Sequence, residues 1–230
     1  MIFFIVIKPK SKILSIKILN VCEKEYFNKM KFFFSFSAVV PMLVAFFFIN
    51  DALITVSNNY PIYVERVFGV SDNIKNYLLL AILLMSAIGG VISGWVADKI
   101  GALKTLKLIF VGWIILIPLI ASSSSLLSLS IYSSISGLFV GSGWAVTRAY
   151  LSEVLKKEEL SYGFSFYTII ERFATFVGPL TWGGIIAVLG THGSSYRIAM
   201  LSMTAFVIIG LIILLNWKRE MKTVTISEMQ

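Results

Sequence analysis

The chain has 230 residues, of which 57% are hydrophobic and only 14% charged, and its mean hydropathy is +0.87. This balance excludes a soluble globular domain or a disordered chain and defines an integral membrane protein. The net charge of +8 does not point to nucleic acid, because the basic residues follow the connections between apolar runs rather than one face. A single Cys22 and a single His192 exclude an intrachain disulfide and any His/Cys metal cluster, so no cofactor is expected.

Residues 1–37 read as a basic, partly amphipathic amino-terminal arm. The apolar run at 2–7 is too short to span, and no basic region precedes it as in a signal peptide. Lys8, Lys10, Lys12, Lys17, Lys24, Lys29 and Lys31 suit it to the anionic inner leaflet. The alternative is a non-native extension upstream of a start at Met30.

Residues 38–217 hold six apolar segments of spanning grade: 38–60, 77–97, 106–121, 126–146, 164–189 and 198–217. Residues 218–230 form a tail. Lys and Arg collect in the arm, at Lys99 and Lys104, at Arg148, Lys156 and Lys157, and at Lys218, Arg219 and Lys222, while the alternate connections are poor in them. The positive-inside rule then places both termini in the cytoplasm, which requires an even number of spans.

The first span carries Asn50, Asp51, Thr55 and Asn58, and the last three recur at helical spacing as one stripe. Starting from residue 38, the helical rise carries Asp51 roughly 20 Å inward, close to the midplane. The second and fourth spans are rich in small residues. Gly90 with Gly94, and Gly137 with Gly141, allow backbones to approach closely. The third and sixth are almost purely apolar and are expected to face lipid.

The fifth span places Glu171 beside Arg172 in an apolar segment, although a charge at the bilayer centre costs about 2.5–3.5 kcal/mol on insertion scales. Such groups mark a transport path or pair structurally within the bundle, and both readings stand at this point. Ser165, Thr168, Arg172 and Thr175 form a stripe, with Glu171 about 100° away beside Tyr167 and Gly178. Pro179 follows Gly178 and is expected to kink the helix. The order of characters is polar, small, oily, then small, polar, oily. This implies an all-α membrane fold of two inverted three-helix repeats, the plan of many secondary transporters.

The connection Gly94-Trp95-Val96-Ala97-Asp98-Lys99-Ile100-Gly101-Ala102-Leu103-Lys104 resembles the loop between second and third spans in the major facilitator superfamily. The resemblance implies half of that fold. In it, Gly94 permits close helix approach, Asp98 caps or faces a helix amino end, and Lys99 holds the loop on the inner side.

Within that superfamily the chain is similar to the carboxy-terminal half of the vacuole effluxers, the autophagy-related amino-acid effluxers and their prokaryotic relatives. The residues that carry this are Asn50-Asp51-Ala52, the Gly-rich run from Gly141 to Arg148, and Phe166-Tyr167-Thr168-Ile169-Ile170-Glu171-Arg172 followed by Gly178-Pro179-Leu180. Ala52, Trp144 and Ser165 depart from that pattern, which has Gly, Gln and Gly there.

The resemblance implies secondary export of a small polar solute, with amino acids favoured, across the plasma membrane of a prokaryote. Asp51 and Glu171 are candidates for proton exchange, since surroundings set the range in which a buried carboxyl group titrates. Arg172 is a candidate partner for a carboxylate. Asn50, Asn58, Thr168 and Thr175 supply hydrogen bonds, and Trp144 narrows or reshapes a polar site. A full transporter of this kind has two six-span halves, so a second half or a homodimer is the expected partner. The alternative function is a non-transporting membrane subunit or a truncated remnant.

Overall fold

The structure is a computed structural model that describes residues 40–155, 157 and 160–216; the amino-terminal arm and the tail lie outside them. Among these residues the chain forms seven helices: α1 (Val40–Phe68), α2 (Asp72–Ile100), α3 (Ala102–Ala121), α4 (Leu126–Val154), α5 (Leu160–Phe173), α6 (Val177–Leu189) and α7 (Gly193–Asn216). Six units are long and apolar enough to cross a membrane, with α5 and α6 together making the fifth, Leu160–Leu189. This is the all-α, six-span architecture expected.

Helices α1, α2 and α4 run well past the apolar segments that announce them. Hydropathy marks only the part that lipid must accept, whereas the backbone ladder continues into the connections. The connections are correspondingly short. A single residue, Gly101, separates α2 from α3; its φ of +91° suits glycine alone, and its N–H bonds the Ala97 carbonyl at 2.8 Å while its own carbonyl accepts from Thr105. Ser125 starts α4 with a capping box, accepting the Ser128 N–H on its hydroxyl at 3.2 Å.

Helices α2 and α4 pack most intimately. A Cβ at Gly137 would meet the Ile82 carbonyl, one at Gly141 the Ser86 carbonyl, and one at Gly89 the Leu138 backbone. Ser142 Oγ donates across this contact to the Gly89 carbonyl at 2.9 Å and also to Leu138 in its own helix. Gly137 and Gly141 therefore act as the small-residue spacing predicts. On α2, however, the tight position is Gly89. Gly90 and Gly94 open onto space, so the close approach expected at Gly94 is not made within the described chain.

Helix α1 is the most enclosed element, with 61% of its most apolar stretch buried. It rests on α7, where Gly210 lets the Ala45 carbonyl approach. It is tied to α4 by Tyr60 Oη to Ser133 Oγ (2.7 Å) and to α3 by Tyr63 Oη to the Ile120 carbonyl (3.0 Å). Beside them Arg197 of α7 donates to the Ala121 carbonyl and lies over the Phe68 ring. Major contacts come in pairs when the first three spans are exchanged for the last three: α1 on α7 matches α4 on α3, and α2 on α4 matches α5–α6 on α1. That is the signature of an inverted repeat.

The oily helices α3 and α7 pack on each other and on α1 and α4 with one side and leave an apolar face exposed on the other, with Leu108, Val111 and Ile115 on α3 and Ile208, Ile212 and Leu215 on α7. Only 11% of the apolar stretch of α2 and 17% of that of α5–α6 are buried. Lipid tails and neighbouring helices are equally apolar, so oiliness does not tell one environment from the other.

Candidate functional site

The fifth span is not a kinked helix but two helices separated at residues 174–176. The break lies before Pro179, which sits in the first turn of α6, where its missing N–H has no intrahelical partner to lose. An interrupted spanning helix exposes free N–H groups at the amino end of its second half, and an acceptor must be found for them within the membrane.

Asp51 supplies it. It is fully buried in α1, and its Oδ2 accepts the Gly178 N–H at 2.7 Å. Only a glycine permits this approach: a Cβ at residue 178 would stand 3.0 Å from both the Asp51 carbonyl oxygen and Oδ1 and would collide with Thr55 Oγ1. The positive end of the α6 dipole favours a carboxylate there. The Asp51 Oδ1 and Thr55 Oγ1 atoms are buried with no hydrogen-bond partner among the described residues.

Asn50, the residue before Asp51 on α1, joins three elements. Its Oδ1 accepts from Trp144 Nε1 of α4 at 3.0 Å, and its Nδ2 donates to the Glu171 carbonyl of α5 at 3.4 Å. A turn further, Phe46 stacks on Tyr167 with centroids 4.9 Å apart, and the Arg148 guanidinium of α4 lies 5.6 Å from the Tyr167 ring. The result is three layers, each drawn from α1 and from the broken span: Phe46, Tyr167 and Arg148; Asn50, Trp144 and Glu171; Asp51, Thr55 and Gly178.

Sequence reasoning therefore locates Asn50, Asp51, Thr55, Trp144, Arg148, Glu171 and Gly178 in one region, with Pro179 half-buried beside it. Others stand outside this cluster. Thr168 and Arg172 are exposed on α5 and Thr175 in the break that follows it, and the two threonines donate their hydroxyls to nearby backbone carbonyls, those of Phe164 and Arg172. Asn58 is likewise exposed on α1. Neither Glu171 nor Arg172 makes an ion pair with a described residue, so their adjacency in sequence is not a structural pair. Asp98 is exposed and caps no helix, while Lys99 stands 3.6 Å over the Trp95 ring. Phe46 and Tyr167 were not among the candidate site residues. Tyr167 was visible one helical turn before Glu171, but nothing in the sequence sets Phe46 apart from the aromatic run around it.

A buried aspartate at the break of a spanning helix, inside a six-span bundle of two inverted three-helix repeats, defines a multi-pass membrane protein of the plan common among secondary transporters. A family model of the Major Facilitator Superfamily matches residues 32–229, and the chain belongs to that superfamily. Among curated proteins it is similar to an uncharacterized protein of Aquifex aeolicus (strain VF5), 25% identical over 165 residues that cover 69% of this chain and 41% of that protein. Among solved structures it is similar to the proton:xylose symporter XylE bound to 6-bromo-6-deoxy-D-glucose, with a TM-score of 0.61 and 19% identity over 77% of this chain and 43% of that one. The latter likeness is one of fold. The chain spans less than half the length of either protein.

Proposed function

We propose that the chain forms one six-span half of a secondary transporter that carries a small polar solute, with proton exchange at Asp51. The observation that carries this reading is the placement of Asp51: a fully buried carboxyl group in the most enclosed span, with one oxygen on the amino end of a half-helix and the other without a partner among the described residues. A group of this kind is costly in a bilayer and marks an ion or substrate path by default. Glu171 is the second candidate for proton exchange, and Asn50, Trp144 and Arg148 are the polar groups nearest to it in the layered site.

An amino acid as solute and outward movement across a prokaryotic plasma membrane follow from the resemblance to vacuole effluxers. Cytoplasmic termini follow from the distribution of Lys and Arg. The partner is a second six-span half or a second copy of the chain. Its need is supported by α2, where Tyr77, Leu80, Leu84, Ile88, Val91 and Trp95 recur along one face and are all exposed. Gly94, Asp98, Lys99 and Gly101 form the loop that changes conformation, and Gly178 and Pro179 the hinge, in this reading.

Flux of radiolabelled neutral amino acids into vesicles holding the chain, with any partner that co-purifies, tests the proposal. Uptake is expected above protein-free vesicles and is expected to be lost in Asp51→Asn. Uptake that persists unchanged in Asp51→Asn, or none at all in the presence of both halves, contradicts it.

A further inference from the structure

Two buried oxygens at the helix break have nothing to bond. Asp51 Oδ1 and Thr55 Oγ1 lie four residues apart on one face of α1, both residues are fully buried, and neither atom has a hydrogen-bond partner among the described residues. They meet in one place. A Cβ at residue 178 would collide with Thr55 Oγ1 and stand 3.0 Å from both Asp51 Oδ1 and the Asp51 carbonyl oxygen, so three oxygens line the same small space beside the α6 backbone. No charged side chain of the described chain pairs with Asp51 or acts on it electrostatically, neither Glu171 and Arg172 of α5, Arg148 and Glu153 of α4 nor Arg197 of α7, and α6 carries none. A buried carboxylate without a cationic partner is costly. A proton on Oδ1 would neutralise it, yet would leave the new O–H and the Thr55 hydroxyl both unpartnered, because the two oxygens do not hydrogen-bond to each other. A cation between them satisfies both.

We infer that Asp51 Oδ1, Thr55 Oγ1 and the Asp51 carbonyl oxygen form a binding site for a sodium ion at the break of the fifth span. The ligand chemistry suits it. A carboxylate, a hydroxyl and a carbonyl are hard oxygen donors, which select hard cations over transition metals. One carboxylate balances one positive charge, whereas a divalent ion would leave net charge buried. The other carboxylate oxygen, Oδ2, stays on the Gly178 N–H, so the same group holds the ion and the amino end of α6, and an occupied site ties α1 to the second half of the broken span. Glycine at 178 keeps the space beside the oxygens open. The inference deepens the transport proposal by giving its carboxyl group a second ion, with which a proton competes, and it rests on that reading only for the step across the membrane.

Thermal unfolding of the full chain in detergent tests this, with sodium chloride titrated against choline chloride at constant ionic strength and potassium chloride as the control for ion size. Sodium is expected to raise the unfolding temperature in a saturable way, since it binds the folded chain alone, while potassium and choline leave it unmoved. Thr55→Val removes one ligand and keeps the branched shape, and the hydroxyl it deletes has no partner among the described residues. Its unfolding temperature in choline should therefore equal or exceed that of the native chain, while the sodium response is lost. Asp51→Asn should lose the response too. An equal response to sodium and potassium, no response to either, or a sodium response of native size in Thr55→Val overturns the inference. A sodium response without vesicle flux would sink the transport proposal and leave this site standing. Flux that is lost in Asp51→Asn, with no sodium response in the native chain, would do the reverse.

Discussion

At residue 178 the side chain is absent for a reason that can be tested. The Gly178 N–H reaches Asp51 because nothing stands between the α6 backbone and the α1 side chains, and a methyl group there would be driven into Thr55 Oγ1. Gly178→Ala is therefore expected to destabilise the bundle by about 1–3 kcal/mol, the usual cost of overpacking. Thr55→Ala in the same chain should recover much of that, because it removes the colliding oxygen and leaves only contacts at 3.0 Å. Unfolding temperatures of the two single variants and the double variant decide it, and additive losses would contradict the packing described. At this scale a position is legible in the sequence where chemistry alone makes it conspicuous, as Asp51 and Glu171 are in an apolar run. For Thr168, Arg172 and Thr175 a stripe says that residues share a face but not what that face meets, and all three are exposed in the structure.

At the level of elements, two short runs of glycine that look alike in sequence behave differently. Gly141 lies against the Ser86 carbonyl, whereas Gly94 faces open space. Gly141→Ala should lower the unfolding temperature of the bundle, at an overpacking cost of about 1–3 kcal/mol, and Gly94→Ala should leave it unchanged; equal effects would mean that α2 is turned otherwise on its axis. The six spans were legible because lipid demands long apolar helices. The break in the fifth was only half legible. Gly178 and Pro179 announced a disturbance, but the helix stops at 174–176 and restarts so that Pro179 falls in a first turn, a choice governed by the Asp51 acceptor on another element. The neighbours of α3 and α7 were not legible, since hydropathy reads a helix neighbour and a lipid tail alike.

For the whole molecule, paired contacts between the two sets of three spans, together with the match to the Major Facilitator Superfamily over residues 32–229, give this chain a six-span fold of two inverted three-helix repeats. Orientation is open to a direct check, because Cys22 is the sole cysteine. With the arm in the cytoplasm, a membrane-impermeant maleimide should label Cys22 only after cells are opened; labelling of intact cells would reverse the orientation. The central claim concerns the buried carboxylate at the helix break, and the most direct measurement is proton movement coupled to solute. In vesicles loaded with a pH-sensitive dye, addition of a transported amino acid should change the internal pH with the native chain. In Asp51→Asn, whose side-chain oxygen can still accept the Gly178 N–H, the pH change should vanish while solute exchange between the two sides continues. A pH change of native size in Asp51→Asn would contradict the account.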